Sequence, residues 1–153
     1  MMSVNISLDD KAVKALMNAY PKRIKQSSTI AINKTASRVK DLIQRRTAQG
    51  RGINGGFTPY AKSTRKSRGN RGRQVGVVDL FDSGKMMGSM ITQPKNPFLA
   101  LVTFAGTFQK RKAMWHHKGL GNLPDRPFFD ISSAEKPLVA SVFIKEFKRR
   151  MAR

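Results

Sequence analysis

The first apolar pattern of the chain is typical of an amphipathic helix. It begins behind Ser7, a residue type that caps helix N-termini, and Asp10 places an acid where the helix dipole favours it. The pattern breaks at Pro21. The apolar positions that define this predicted helix are Leu8, Val13, Leu16, Met17 and Tyr20.

A second and longer helix is predicted from Pro21 to about Gln49. Proline suits the first turn of a helix, and Gly50 is a suitable stop. Basic residues cover most of its surface and are opposed within the helix only by Asp41. One narrow face of apolar or small residues runs through Ile24, Ser28, Ala31, Thr35, Val39, Leu42 and Ile43.

Residues 50–74 interrupt this periodicity. The stretch contains six Gly and many cations, and it has no acidic residue. Because few apolar groups are present to offset the entropy of ordering, we predict a long flexible basic loop. Phe57 and Tyr60 are exceptions, since their rings can dock on a core. The loop is predicted to lie inside one domain that spans residues 1–153.

The second half of the chain predicts a small antiparallel sheet. The segment from Phe98 to Phe104 is rich in β-branched and aromatic residues, and it follows the turn residues 94–97. Residues 89–93 and 98–105 are therefore predicted to form a hairpin. Its aromatic side chains, together with those at 128 and 129, are expected in the core.

The rest of the second half is predicted to be a loop, an edge strand and a helix. Residues 107–121 have the composition of a polar loop, and the prolines of residues 124–129 restrict that segment to an edge strand. A C-terminal helix is predicted over 133–153, with Ser133 as its cap. The order of elements predicts an α+β fold. The apolar stripe predicted for the last helix is Leu138, Val142, Phe143, Phe147 and Met151.

Composition narrows the chemistry. Thirty Lys and Arg against nine Asp and Glu give a formal charge of +21, and there is no Cys. A disulfide framework and thiolate chemistry are therefore excluded. Without a signal-peptide pattern or an apolar stretch of about 18 residues, the chain is expected to be soluble, made in the cytosol and without a membrane partner. The charge disfavours a lone compact monomer and predicts an anionic partner.

The densest group of cations is the strongest candidate for a binding site. Cations that are spaced by Ser, Gly and Asn can follow a phosphate backbone, and each phosphate that they neutralise releases counterions. A solvated flexible loop that binds nothing is the alternative interpretation. If the stretch does bind a partner, an acidic protein surface suits it as well as DNA. The six candidate contacts are Lys62, Arg65, Lys66, Arg68, Arg71 and Arg73.

Two adjacent histidines are the natural place to look for catalysis. A metal site needs three or four ligands, yet Asp125 and Asp130 are the only acids near His116 and His117. Nine scattered acids also make a carboxylate-based nuclease site improbable. We therefore interpret the histidines as polar loop residues and predict no catalytic residue, no cofactor and no metal.

Short motifs in the second half follow a recognisable order. An aromatic-proline segment at 57–61 precedes the basic stretch, a Leu-x-x-Ser-Gly pattern starts at Leu80, and an Arg-Pro-Phe-Phe segment precedes the last helix. Over about residues 57–135 this order resembles the virion morphogenesis family of tailed bacteriophages. The residues that carry the resemblance, which are expected in the core or at a subunit interface, are Phe57, Tyr60, Leu80, Gly84, Met87, His117, Gly119, Arg126 and Phe128.

The resemblance implies a structural, non-enzymatic virion protein. Members of the family are tail-completion, neck or head-to-tail joining proteins, which implies a homo-oligomeric ring between the capsid and the tail. The implied partners are portal or adaptor proteins and tail tube or tail terminator proteins, with genomic DNA passing through the channel. The implied location is the neck or tail region of the virion.

A basic nucleic-acid-binding protein that acts outside a particle is the alternative. The charge of +21 and the arginine-rich stretch suffice for such a role. It predicts tight binding of free DNA or RNA with a steep salt dependence.

Overall fold

The computed structural model describes residues 2–7 and 21–152, and the first predicted helix, over 8–20, lies outside them. The described part is a mixed α+β fold, as predicted. Its helices are α1 (Pro21–Ala48), α2 (Lys62–Asn70), α3 (Lys85–Gly88), α4 (Thr107–Lys118) and α5 (Lys136–Met151). Its strands are β1 (Val4–Ser7), β2 (Arg51–Gly52), β3 (Gly55–Gly56), β4 (Met90–Asn96) and β5 (Leu99–Phe104).

The long helix α1 has the buried face that its sequence predicts. Ile24, Ala31 and Val39 are fully buried, and the Thr35 hydroxyl donates a 2.8 Å hydrogen bond to the Ala31 carbonyl. Small residues on this face let neighbouring elements approach closely. The helix packs mainly along α5 and against the sheet. It therefore forms the central support of the fold.

The main sheet has three antiparallel strands in the order β1-β5-β4. The predicted hairpin is confirmed, with Met90 opposite Phe104 and Thr92 opposite Val102. β5 lies in the centre and buries Ala100 along with its last three residues. The register shifts between Pro94 and Asn96, so the exposed end of β4 is irregular.

An aromatic cluster closes the core next to β5. The ring of Phe104 lies 4.8 Å from that of Phe129 and 6.3 Å from that of Phe128, measured between centroids. All three side chains are buried, whereas Phe98 is half-buried. The prediction that the aromatics form core is therefore confirmed for these three side chains but not for Phe98.

The edge strand predicted over 124–129 is wrong. The segment is irregular, because its two prolines carry no N–H and its hydrogen bonds go to different elements. The Arg126 amide donates to the His116 carbonyl, and the Ile53 amide donates to the Pro127 carbonyl. The segment thus connects α4 with the β2–β3 hairpin.

The long flexible loop predicted over 50–74 is also largely wrong. A short two-stranded hairpin, β2–β3, opens the stretch, and α2 occupies its basic part. Arg68 is the one buried residue of α2, and it is held by partners outside the helix. Order therefore comes from polar tertiary contacts, which the low apolar content did not predict. Phe57 and Tyr60 do pack against the core, as predicted.

The predicted polar loop over 107–121 is instead the helix α4. It follows Gly106 and ends at Gly119, which adopts the left-handed conformation with φ +60°. A side chain at 119 would place its Cβ 2.6 Å from the Asp125 amide nitrogen. Glycine therefore permits both the helix end and the close approach of the following segment.

The C-terminal helix α5 differs from its prediction at its start and along its buried face. It begins at Lys136 and not behind Ser133, and the Ser132 amide donates to Glu135 at 2.8 Å. Its buried residues are Val139, Phe143 and Glu146. Leu138, predicted in the apolar stripe, is 57% exposed. The predicted stripe is therefore confirmed at Phe143, with Val142, Phe147 and Met151 half-buried beside it, and it is wrong at its first position, where Val139 is buried in place of Leu138.

Candidate functional site

Basic side chains outnumber acidic ones nearly four to one in the described residues. Residues 11, 14 and 153 are basic, 9 and 10 are acidic, and all five lie outside the described part; 27 of the 30 cations and seven of the nine acids remain. Ion pairs within this part join four of those acids to six cations. The surface is therefore strongly cationic, and the paired cations can be separated from the others.

Arg68 is a structural residue. Its side chain is 4% exposed, its Nη2 lies 3.0 Å from the Asp79 carboxylate, and its Nε donates to the Gln74 carbonyl at 2.9 Å. Its Nη1 lies 3.8 Å from Asp82. The prediction that Arg68 contacts DNA or an acidic partner is therefore wrong, because its charge is buried and satisfied inside the fold.

The other candidate cations of this segment stay on the surface. Arg71 is exposed but pairs with Asp82 at 2.9 Å, and this hydrogen bond lowers the pKa of the Asp82 carboxyl. Lys62, Arg65, Lys66 and Arg73 are exposed and have no ion-pair partner within the described residues. Internal pairing thus leaves α2 and its C-terminal turn with less free charge than the sequence indicates.

Tyr60 lies between two guanidinium groups. The Arg68 group is 4.6 Å and the Arg126 group 5.5 Å from the centre of its ring, distances typical of cation-π contacts. The Tyr60 hydroxyl donates to Asp79 at 3.3 Å, and burial raises the pKa of this hydroxyl. Arg126 also donates to the Thr58 carbonyl at 3.2 Å. The cluster fixes the segment before α2 to the segment before α5.

A small cavity of about 200 Å³ lies beside this cluster. His116 and Lys112 line it from α4, while Arg68 and Arg71 line it from the α2 side. Burial, helped by the charges of Arg126 and Lys112, lowers the pKa of His116 to about 4. The imidazole is therefore neutral at physiological pH. Its Nδ1 is buried and has no hydrogen-bond partner among the described residues.

His117 makes a structural contact with the segment that follows α4. Its Nδ1 accepts a 3.2 Å hydrogen bond from the Phe129 amide, and its ring lies 6.0 Å from that of Phe128. Burial lowers its pKa, which favours the neutral form that this contact requires. In the described ranges, no three His, Asp or Glu side chains are grouped so that they could hold a metal ion.

The residues that carry the family resemblance come together in the fold. Phe57 and Tyr60 pack against the same core cluster that contains Leu80, Met87 and Phe128. Two more of them serve the backbone, since Gly84 begins α3 with φ +74° and Gly119 ends α4. These residues therefore lie mostly in the core of one copy of the chain.

A second cationic region, which the sequence did not single out as a site, lies where α1 meets α5. The two helices run antiparallel: Arg23 donates to the Met151 carbonyl at 2.6 Å, and Arg46 pairs with Glu135 at the other end. Between these ends, Glu146 accepts hydrogen bonds from three cations, of which Arg149 is one. These bonds lower the pKa of Glu146 to about 2. The separate basic runs were visible in the sequence, but their meeting was not.

Large apolar side chains are exposed on two helices. Phe108 on α4 is 66% exposed, and Leu138 and Ile144 on α5 are 57% and 50% exposed. Single exposed apolar residues are common on protein surfaces, and three side chains of this size add apolar area of the kind that protein contacts bury. No helix in the part of the chain that the structure describes is long and apolar enough to cross a membrane.

Comparisons of the chain with models of protein families, with curated proteins and with solved structures found no match.

Proposed function

We propose that this protein is a non-enzymatic structural component of a tailed-bacteriophage virion. In this role several copies form a ring at the head-to-tail junction and join the DNA-filled capsid to the tail. Portal or adaptor proteins lie on one side of the ring, and tail tube or tail terminator proteins lie on the other. The proposal starts from the order of motifs over about residues 57–135.

The observation that supports it best is that these motifs pack on one another. Thr58 and Tyr60 contact Arg126 from the opposite end of the stretch, and His117 binds the Phe129 amide. Motifs that define a shared fold are expected to be joined in this way.

The surface of the described residues supports an assembly role. Exposed Phe108, Leu138 and Ile144 supply apolar area of the kind found at protein contacts, while the excess of cations disfavours an isolated monomer. In an assembly, neighbouring subunits would cover the apolar side chains, and acidic partners would neutralise the excess of cations. Both features have a natural place in a ring that surrounds DNA.

Genetic removal of the chain from its particle tests this function. Deletion of its reading frame is expected to give filled heads and free tails that do not join, and the chain supplied in trans should restore joined particles. Electron microscopy counts the three species, and antibody labelling of purified particles locates the chain at the neck. Joined particles at the normal frequency without the chain would contradict the proposal.

A nucleic-acid-binding protein that acts outside a particle is the second candidate. It is favoured by one observation, the 27 cations against seven acids in the described residues. The two candidates differ in location, because only the first requires the chain in purified virions. Under the second, the chain should be found in the cell with free nucleic acid and not in mature particles.

A further inference from the structure

Two basic helix ends that are far apart in the sequence meet in the fold. The Arg23 guanidinium donates to the Met151 carbonyl at 2.6 Å, which ties the start of α1 to the end of α5. This hydrogen bond joins the ends of the two helices, and each of these ends carries a basic run. We call the resulting area the helix-end surface; its cations are Lys22, Arg23, Lys25, Lys34, Lys145, Lys148, Arg149 and Arg150.

One buried acid, Glu146, pairs with three cations of the helix-end surface. The Glu146 side chain is 5% exposed and accepts bonds from Lys34 at 2.9 Å, Arg149 at 2.5 Å and Arg150 at 3.1 Å. These cations remain 57%, 48% and 32% exposed. The carboxylate therefore fixes three outward-facing cations but presents almost no negative charge to solvent. Cations that are held in place lose less entropy when they bind an anion.

The other acids of the two helices do not oppose this surface. Glu135, at the start of α5, pairs with Arg46 near the far end of α1. Asp41 also belongs to the C-terminal half of α1. On α2 and the turn that follows it, by contrast, Asp79 and Asp82 neutralise two of the six cations. By the same measure, Glu146 pairs with three of the eight cations of the helix-end surface, which leaves five without an ion pair, against four in the α2 region, within the described residues.

We propose that the helix-end surface binds the phosphate backbone of duplex DNA. A duplex presents phosphates at regular intervals and can contact cations from both helices at once, whereas an acidic side chain of a protein satisfies only one or two. The planar guanidinium groups of Arg149 and Arg150 suit phosphate oxygens. Lysines on the same surface add charge without sequence readout, so binding is independent of sequence.

This inference rests on the proposed function, because a ring at the junction surrounds the path of the genome. It adds a location, since it assigns the DNA contact to α1 and α5 and not to α2. The two proposals fail separately. Absence of the chain from particles would overturn the ring, while binding of DNA by the helix-end surface is measured with purified protein.

The test measures how the affinity of the full chain for a 30-base-pair duplex depends on salt. The variant Lys145→Gln, Lys148→Gln, Arg149→Gln removes three positive charges from the helix-end surface. We expect the log-log slope to become shallower by about 0.9 for each phosphate that is no longer neutralised, or about 2.7 for three. The control Lys62→Gln, Arg65→Gln, Lys66→Gln removes the same charge from α2 and should change the slope much less.

A second variant separates binding from folding. Lys145→Gln with Lys148→Gln leaves the bonds of Glu146 intact, so helix packing should be unchanged while about two fewer phosphates are neutralised. Circular dichroism melting checks the fold of each variant. Equal effects of the two triple variants, no duplex binding by the unmodified chain, or stronger binding of poly-glutamate than of the duplex would each overturn the proposal.

Discussion

At the scale of single residues, burial and pairing decide what a cation does. Arg65 and Arg68 are one helical turn apart in the same basic helix, yet Arg65 is exposed and Arg68 is buried. Arg68 holds Asp79 and faces the ring of Tyr60, so it links α2 to the following segment. The difference arises from tertiary partners and not from residue type.

Replacement of Arg68 by Ala is therefore expected to destabilise the fold. It leaves the largely buried Asp79 carboxylate without the cation that pairs with it, and losses of this kind cost about 3 to 5 kcal/mol. Urea unfolding measures the change. Arg65→Ala, on the same helix but exposed, should stay within about 0.5 kcal/mol of the unmodified protein. Equal costs for the two variants would contradict the structural role of Arg68.

His116 makes stability depend on pH. Its pKa is about 4 in the fold and 6.5 ordinarily, so the unfolded chain binds the proton more tightly. The neutral imidazole of His116 contributes its full share of the folding free energy above about pH 6.5. This share is lost as the pH falls through the pKa of the folded state. His116→Gln should flatten this loss between pH 6.5 and 4, as measured by urea midpoints. If the unfolding free energies of the two proteins depended on pH in the same way, this role of His116 would be contradicted. Some pH dependence should remain in the variant, because the pKa of His117 is lowered too.

At the scale of elements, periodicity predicted those parts of the fold that bury apolar side chains. The helix α1 and the β4–β5 hairpin follow from their patterns, since each has several apolar residues on one face or strand. The helices α2 and α4 were missed because each buries a single residue, Arg68 and Ala113. Neither helix therefore has an apolar stripe in its sequence that would have predicted it.

The candidate site shows the same limit. The basic runs are evident in the sequence, but the choice between bound and free cations depends on contacts across many residues. Arg68 pairs with Asp79, which is eleven positions away in the sequence, and Lys34 pairs with Glu146, which is 112 positions away. Charge counts therefore locate cationic segments correctly, while only the fold shows which of them can meet a partner.

The end of α4 supplies a test of backbone conformation. Gly119 and Gly121 both have positive φ, +60° and +68°, but only at 119 would a Cβ meet backbone atoms within 3 Å. Gly119→Ala should therefore cost more than the roughly 1 to 3 kcal/mol typical of backbone strain, whereas Gly121→Ala should cost about 1 kcal/mol. Thermal and urea unfolding compare the two. Similar losses would mean that the segment near Asp125 shifts to admit a methyl group.

At the scale of the whole molecule, the charge of +21 opposes compactness. Repulsion between like charges destabilises the folded chain. A few largely buried ion pairs, such as Arg46 with Glu135, offset part of this destabilisation. The excess of cations makes repulsion the larger long-range effect. Anionic partners would therefore stabilise the fold as well as bind to it.

Salt is expected to stabilise the isolated protein. An increase from about 0.1 to about 1 M shortens the screening length from about 10 to about 3 Å, which weakens repulsion between separated cations more than it weakens buried pairs. The urea midpoint should rise over this range. Sucrose at matched osmolality controls for solvent exclusion. A midpoint that falls with salt would show that ion pairs outweigh repulsion.

The irregular end of β4 limits how copies of the chain can meet. Pro94 has no N–H to offer, Lys95 adds charge beside it, and the register shift disturbs the strand at the same place. Such edges resist pairing with another strand. A sheet continued from copy to copy through β4 is thus disfavoured. Contacts between copies at this edge would therefore have to use side chains, and such contacts can shift without breaking a shared sheet.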